Sequence, residues 1–243
     1  YSDHLKVVRC ESAILNAGAN SGILIRDEDH YEASFSTGQG SHGEWAARTA
    51  GTWGNSIGVQ ICATADGFDQ ALSTNNLLNG AASEGNTSCV VDDADASGYA
   101  FNVGDLISFF SDNSATVPVD EFNEYEVTAI NTSTNVLTIR LKDDPNGAGL
   151  QRDIADNSKI RRRWKYYDAF TGAPGTSEWA TANARGTGDE LHVAVYDTTG
   201  DITGYDADVA GQRQSSLIET HGFMSKNSVA KDAVGNSNYY PDV

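Results

Sequence analysis

The chain has 243 residues, of which 34 are acidic and 16 are basic, so its formal net charge at pH 7 is −18. Such an acidic surface repels phosphate backbones and anionic lipid headgroups, which argues against nucleic-acid binding and membrane insertion. No secretory leader pattern and no apolar run long enough to cross a bilayer occurs in the sequence. We therefore expect a soluble protein.

The first third of the chain predicts short strands separated by turns. Residues 5–10, 23–25 and 59–63 carry apolar runs typical of strands, residues 27–30 predict an acidic turn, and residues 31–43 form a Gly- and Ser-rich connection. Cys10, Cys62 and Cys89 are odd in number and widely spaced, which indicates a reducing compartment and predicts neither a disulfide nor a zinc site.

Residues 54–58 match the G-x-S-x-G nucleophile elbow, with Ser56 at the position of the nucleophile. That motif requires a strand before the serine and a helix after it. Here the residues that follow, Val59 to Cys62, are strand-like. A turn therefore explains the glycines better than a serine hydrolase does.

The middle of the chain predicts a compact β module. Strand candidates cover residues 88–91, 106–110, 124–130 and 136–141, and residues 131–135 have the composition of a hairpin turn. Residues 86–157 contain 13 acidic and three basic residues. We predict a small β-barrel-like domain (SH3-like or OB-like) at residues 86–160, inserted into a parent domain made of residues 1–85 and 161–243. The predicted fold class is α+β, predominantly β.

Two charged motifs of this region have alternative interpretations. Asp93 to Gly98 match the opening of a calcium loop, but the twelfth position, where a bidentate Glu is needed, is Gly104. A solvated acidic turn is favoured there, and calcium binding stays open. The run KIRRRWK at residues 159–165 resembles a nucleic-acid patch, yet its alternation of Ile160, Arg162, Trp164 with the other residues is that of a strand. We expect its cations to neutralise acidic neighbours.

The remaining elements indicate no catalytic centre. Helices are predicted at residues 177–184 and 225–233, and His192 lies in an apolar strand, where a packed core histidine is favoured over a ligand. The other histidines are far apart, and no phosphate cradle or dinucleotide motif occurs. We predict no catalytic, cofactor-binding or metal-binding residues, no cofactor and no enzymatic activity.

Residues 217–243, LIETHGFMSKNSVAKDAVGNSNYYPDV, carry the most specific pattern in the sequence. The segment resembles the tail sheath proteins of contractile-tailed bacteriophages, in which the pattern E-x-(F/H)-x-x-(L/M/V)-S-x-x-x-x-A-K-D-x-x-G-x-S-N-Y-Y-x-D-V precedes a large core domain. Residues 44–62 resemble a strand of that family with a turn at Gly51 to Asn55. Residues 189–204 resemble a following hairpin made of an apolar strand, an acidic turn and a second short strand.

The resemblance implies a structural virion protein. Sheath subunits assemble in the host cytoplasm as six-fold rings around a tail tube, contact tube and baseplate proteins, and contract to drive the tube through the host envelope. The parent domain would then be a sheath domain. We expect this chain to be a fragment without the C-terminal core domain, because the sequence stops where the family pattern would continue. Its opening at Tyr1 without Met also indicates a fragment or a trimmed product.

Two other functions remain open. One is a carbohydrate- or receptor-binding module on the virion surface, suggested by Trp45, Trp53, Trp164 and Trp179, although most of these are expected in the core. The other is an enzyme of unrecognised type, which would need a pocket joining His192 to a carboxylate.

Overall fold

A computed structural model describes residues 15–18, 22–35, 45–70, 76–98, 100–110, 120, 123–142, 144, 146–204 and 216–242. The chain divides into two compact units. The first consists of Tyr1–Gly58 and Asp197–Gly204, and the second of Val59–Tyr196 and Tyr205–Val243. The described residues are mostly β with a few short helices, as the predicted α+β, predominantly β class requires.

The strands of the described residues are β1 (Asn16–Gly18), β2 (Ala46–Ala50), β3 (Ile57–Cys62), β4 (Asp69–Gln70), β5 (Ser88–Val90), β6 (Leu106–Phe110), β7 (Tyr125–Asn131), β8 (Val136–Leu141), β9 (Lys159–Arg163), β10 (Glu190–Asp197) and β11 (Leu217–Ser225). The α-helices are α1 (Glu28–Ser34), α2 (Ala65–Phe68) and α3 (Glu178–Ala182). Short 3₁₀ helices span Thr52–Ser56, Tyr167–Ala169 and Tyr240–Asp242.

In the first unit, β1 and β2 pair antiparallel. Asn16 on β1 stabilises the pairing with β2, because its buried side-chain amide donates to the carbonyl oxygens of Ala47 and Arg48 at 2.8 and 2.9 Å. Helix α1 begins after Asp27, whose carboxylate accepts a hydrogen bond from the backbone N–H of His30 at 2.8 Å. A short acidic residue at this position satisfies a free amide of the first turn.

The second unit contains a six-stranded antiparallel sheet in the order β4-β9-β6-β7-β8-β5. Its buried face carries the larger hydrophobic core, which includes Phe109, Tyr125, Leu137, Ile139 and Leu150. The unit also contains a three-stranded sheet in the order β11-β10-β3. A second core cluster formed by Cys62, Phe68, Trp164, Tyr166 and Ala194 packs against partly buried aromatic residues.

The predicted closed form of the middle module is wrong, because the described strands form no closed barrel. The sheet is open, with the two-residue strand β4 at one edge and the three-residue strand β5 at the other. Isolated bridges join Leu77 to Lys159 and Leu78 to Val91, so residues before position 86 also pack on this module. Strand β9 likewise continues past residue 160.

Most strand predictions in the middle of the chain are confirmed. Strands β6 and β8 have the predicted bounds, and β5 and β7 agree within about a residue. The predicted hairpin turn contains Asn135 with φ 55°, a left-handed conformation that asparagine tolerates. Helix α3 is confirmed within residues 177–184, with the Ser177 hydroxyl accepting from the Ala180 N–H at 3.0 Å.

Five local predictions are wrong. Helix α1 replaces the turn predicted at residues 27–30 and the first part of the connection predicted at residues 31–43, because Asp27 caps a helix that continues to Ser34. At residues 23–25 only Ile23 makes a β-bridge. The helix predicted at residues 225–233 is absent, because Ser225 ends β11 and its hydroxyl accepts from the Asn227 N–H, which favours a turn. The short strand expected after the acidic turn is itself a turn at residues 201–203; β10 pairs with β11 instead. Residues 5–10 lie outside the described part.

A close backbone approach makes Gly149 sensitive to substitution. A Cβ at this position would lie inside the van der Waals radii of the carbonyl oxygens of Gly85 and Asn86. We expect Gly149→Ala to lower the free energy of unfolding by about 1–3 kcal/mol, measured by urea denaturation. Gly172→Ala is the control, since no atom lies within 4 Å of its added Cβ. Equal stability of the two variants would contradict the close approach.

Candidate functional site

The basic run at residues 159–165 is a strand of alternating burial, as predicted. Ile160, Arg162, Trp164 and Tyr166 are buried, and the residues between them are partly exposed. Strand β9 lies between β4 and β6. Its arginines pair with Asp69 on β4 and with Asp105 and Glu124, which come just before β6 and β7. The run is therefore an internal charge-pairing element, as its composition predicted.

The partly exposed face of β9 carries a network of ion pairs. The guanidinium of Arg161 makes a bidentate pair with Asp69, and Arg163 contacts both Asp69 and Glu124, the latter at 2.7 Å. Lys142 Nζ adds a contact of 2.9 Å to Glu124. Burial opposes ionisation of Glu124, but the hydrogen bond from Lys142 and the nearby charges outweigh it and lower the pKa of Glu124.

Arg162 points to the opposite face, where it is 9% exposed. Its Nη1 lies 3.5 Å from the carboxylate of Asp105, which is 4% exposed, and its two terminal nitrogens donate to the carbonyls of Ala100 and Asp66. Burial raises the pKa of Asp105 to about 6, although Arg162 and the hydrogen bonds from Asn102 oppose that shift. Arg162 and Asp105 therefore form a buried ion pair.

His192 is a packed core histidine, as predicted, and is fully buried. Its ring stacks on Phe170 with centroids 4.4 Å apart and meets the ring of Phe223 edge-on. Its Nδ1 accepts the N–H of Phe223 at 3.0 Å, so the proton of the neutral ring is on Nε2, which donates to the Gly172 carbonyl at 2.8 Å. Both ring nitrogens are thus engaged by backbone groups, and none of these partners is a carboxylate.

The contact with His192 explains an irregularity in strand β11. The register between β10 and β11 shifts between Leu191 and Val193, and Phe223 at this bulge has φ 58°. A left-handed conformation is costly for an aromatic residue, so it needs support from its surroundings. The hydrogen bond to His192 and the packing of both aromatic rings provide that support.

Asp189, the residue before β10, joins that strand to the N-terminus of α3 and to the end of β11. Its carboxylate accepts hydrogen bonds from the N–H and hydroxyl of Ser177 at 2.8 Å each and from the hydroxyl of Ser225. Burial acts to raise the pKa of Asp189, but these hydrogen bonds dominate and the pKa is lowered. The cluster contains two serines and a carboxylate, but the Ser177 hydroxyl caps helix α3. We therefore interpret the cluster as structural.

Residues 226–242 fold back along the end of β11 as a chain of turns. The carboxylate of Asp232 accepts from the backbone N–H groups of Val234 and Asn236, and Gly235 has φ 94°. Asn238 closes the segment, because its side-chain amide donates to the Phe223 carbonyl at 3.0 Å and its backbone carbonyl accepts from the Ser225 N–H. The side chains of Val229 and Val234 are 55% and 82% exposed on this segment.

In the first unit, a buried carboxylate organises the loop at residues 197–204. Asp197 is 1% exposed and accepts from the backbone N–H groups of Gly200, Ile202 and Thr203 at 2.8–3.0 Å, and from the Thr203 hydroxyl. Burial disfavours the charge, but these donors outweigh that effect and hold the pKa of Asp197 well below its usual range. Sequence reasoning identified an acidic turn here and missed the residue that organises it.

The other candidates from the sequence form no reactive centre. The Ser56 hydroxyl is buried and donates to the Trp53 carbonyl at 2.7 Å, in a 3₁₀ turn followed by strand β3, so the context of a nucleophile elbow is absent. In the acidic loop, an oxygen of Asp93 accepts the Asp95 N–H. No group of three or more His, Cys, Asp or Glu that could hold a metal ion occurs among the described residues.

The four tryptophans differ in their exposure to solvent, and burial raises the pKa of the two described cysteine thiols. Trp164 is buried, Trp45 and Trp179 are partly buried, and Trp53 is 46% exposed. Burial raises the pKa of Cys62 to about 11 and that of Cys89 to about 12, so both thiols stay protonated at neutral pH. Cys10 lies outside the described residues.

Comparisons with protein-family models and with curated proteins each find no match to this chain. Within the described ranges, no helix is long and apolar enough to span a bilayer. The geometry gathers charged, aromatic and turn-forming residues into structural clusters.

Proposed function

We propose that this chain is part of a tail sheath subunit of a contractile-tailed bacteriophage. The subunit would polymerise as six-fold rings around the tail tube, contact tube and baseplate proteins, and contract to drive the tube into the host cell. It would be a non-enzymatic virion protein assembled in the host cytoplasm, without nucleic-acid or membrane partners. The acidic surface supports this role by limiting premature association.

The terminal segment is the observation that carries the proposal. Its sequence pattern fixes certain positions, and in this chain those positions have intramolecular roles. Ser225 bonds to Asp189, Ala230 is 1% exposed, Asp232 caps a turn and Asn238 bonds to Phe223. The pattern leaves the positions of Val229 and Val234 free, and these side chains face solvent. On this basis we propose that the pattern describes one folding unit shared with sheath proteins.

The organisation of the subunit is part of the same proposal. We assign residues 1–85 and 161–243 to a parent sheath domain and residues 86–160 to an inserted acidic domain. The sheet β4-β9-β6-β7-β8-β5 supports a compact module in this region, with most of its strands inside the proposed insertion. Contacts from residues 77 and 78, and the continuation of β9 to Arg163, would form the junction with the parent domain.

A carbohydrate- or receptor-binding module on the virion surface is the second candidate. The exposed indole of Trp53 favours it, since an accessible aromatic ring can stack on a sugar. Burial of Trp164 removes one of the four side chains on which this alternative depended.

Sedimentation velocity combined with a glycan array separates the two functions. For a sheath subunit, we expect the complete gene product, expressed alone, to sediment as large polymers and to bind no glycan. A monomer that binds a defined glycan, and loses that binding in Trp53→Ala, would overturn the sheath proposal. Trp179→Ala serves as a control for the loss of a partly buried tryptophan.

A further inference from the structure

Two Asn-Gly pairs occur in the sequence, Asn79-Gly80 and Asn146-Gly147. In such a pair the glycine amide nitrogen can attack the asparagine side chain, because glycine offers little steric hindrance. Both asparagine side chains are exposed, so solvent access does not distinguish the two pairs. The hydrogen bonds of the attacking glycine amides do distinguish them.

The amide of Gly80 is held by a carboxylate. Its N–H donates to Asp156 Oδ1 at 2.7 Å, and this negative charge disfavours the loss of the amide proton that attack requires. The surrounding backbone is also fixed, because the Asn79 N–H donates to the Val90 carbonyl and the Asn157 N–H donates to the Leu78 carbonyl, both at 2.9 Å. Attack from Gly80 would require these contacts to open.

The amide of Gly147 is held only weakly. Among the described residues, its N–H contacts the carbonyl oxygen of Asp144 at 3.4 Å, beyond the usual range for an N–H···O bond. The recorded hydrogen bonds of the Asn146 and Ala148 N–H groups also go to Asp144, through its carboxylate oxygens. Among the described contacts of these three amides to Asp144, that of the Gly147 N–H is the longest, so this amide is the least constrained of the three.

We propose that Asn146 is a site of spontaneous deamidation and isoaspartate formation, and that Asp156 protects Asn79 from the same reaction. The Gly147 nitrogen bonds to Cγ of Asn146, and the side-chain nitrogen leaves as ammonia, taking the proton of the attacking N–H. Water then opens the resulting succinimide at either carbonyl, giving aspartate or isoaspartate. No oxidant or enzyme is needed.

The product would alter the end of strand β8. Isoaspartate adds a methylene to the backbone, and either product adds a negative charge next to the carboxylate of Asp144. The backbone hydrogen bond from the Leu141 N–H to the Ala148 carbonyl closes this turn, and we expect the longer isoaspartate backbone to disturb it. The site is independent of the proposed sheath function, so the two proposals stand or fall separately.

Peptide mass spectrometry after incubation of the 243-residue chain at pH 8 and 37 °C measures both rates. We expect Asn146 to deamidate about tenfold or more faster than Asn79, because Gly80 must first release a hydrogen bond to a charged acceptor. Isoaspartate at position 146 is identified by electron-transfer fragmentation. Equal rates at the two sites, or faster reaction at Asn79, would overturn the proposal.

A pair of variants tests the protective role directly. Asp156→Ala should raise the Asn79 rate about tenfold, because it frees the Gly80 amide. Asp153→Ala removes a neighbouring carboxylate that accepts from the Glu84 N–H instead, and should leave the Asn79 rate unchanged. The Asn146 rate is the internal standard, since general unfolding would change it as well. An unchanged Asn79 rate in Asp156→Ala would refute the assignment.

Discussion

Arg162→Met is expected to lower the free energy of unfolding of the second unit by about 3–5 kcal/mol. The substitution keeps much of the side-chain volume but leaves the buried carboxylate of Asp105 without its cation. It also leaves the carbonyls of Ala100 and Asp66 without their donors. An uncompensated buried charge costs far more than the loss of a surface ion pair.

Arg161→Met is the matched control on the same strand. Arg161 pairs with Asp69 on the partly exposed face, where the two side chains are 32% and 29% exposed. Loss of this ion pair should lower the free energy of unfolding by about 0–1 kcal/mol. Urea denaturation of the two variants, followed by tryptophan fluorescence, measures the difference. Similar losses in both variants would contradict the alternation of buried and exposed charges on β9.

The loss in Arg162→Met should also depend on pH. Burial raises the pKa of Asp105 to about 6, above the value of about 3.9 expected in the unfolded chain. The fold therefore favours the protonated carboxyl, and its stability falls as pH rises between these two values. Without Arg162 this penalty extends to higher pH, so the variant should lose more stability at pH 8 than at pH 5. A loss independent of pH would contradict this.

Asp197→Ala is expected to destabilise the first unit by on the order of 3 kcal/mol. The carboxylate collects the N–H groups of Gly200, Ile202 and Thr203, and alanine would leave these donors without their shared acceptor. Asp201→Ala is the control in the same loop, because Asp201 is exposed and, among the described residues, its carboxylate accepts from the Thr199 hydroxyl. Its effect should be within about 0.5 kcal/mol.

The contribution of Asp197 should disappear in acid. Its pKa is lowered in the folded state, so its stabilisation is present above the unfolded value of about 3.9 and is lost as pH falls further. Hydrogen exchange at the Ile202 and Thr203 amides measures this loop directly. We expect the protection lost in Asp197→Ala at pH 7 to be retained in Asp201→Ala. Unchanged protection in Asp197→Ala would show that the loop is held by other contacts.

The alternation of buried and exposed residues along strands allows much of the fold to be predicted from the sequence. In KIRRRWK the burial of every second residue follows from strand geometry alone, and the acidic excess around it indicated where its charges would pair. Strands β6 and β8 were equally clear, because their apolar runs end at polar turns. These signals lie within a few residues of one another.

Contacts distant in sequence could not be predicted in this way. Strand β4 has only two residues and pairs with β9, which lies more than ninety residues later in the sequence. The bulge at Phe223 depends on His192, which only the pairing of β10 with β11 brings within reach. Asp27 was misinterpreted because an acidic residue suits both a turn and a helix N-terminus.

Negative-stain electron microscopy of the complete gene product, expressed without other phage genes, tests the central claim most directly. A sheath subunit should form long hollow tubes built from stacked six-fold rings, because its subunits would carry the contacts of the contracted lattice. Dispersed monomers that never polymerise under any salt condition would contradict the account.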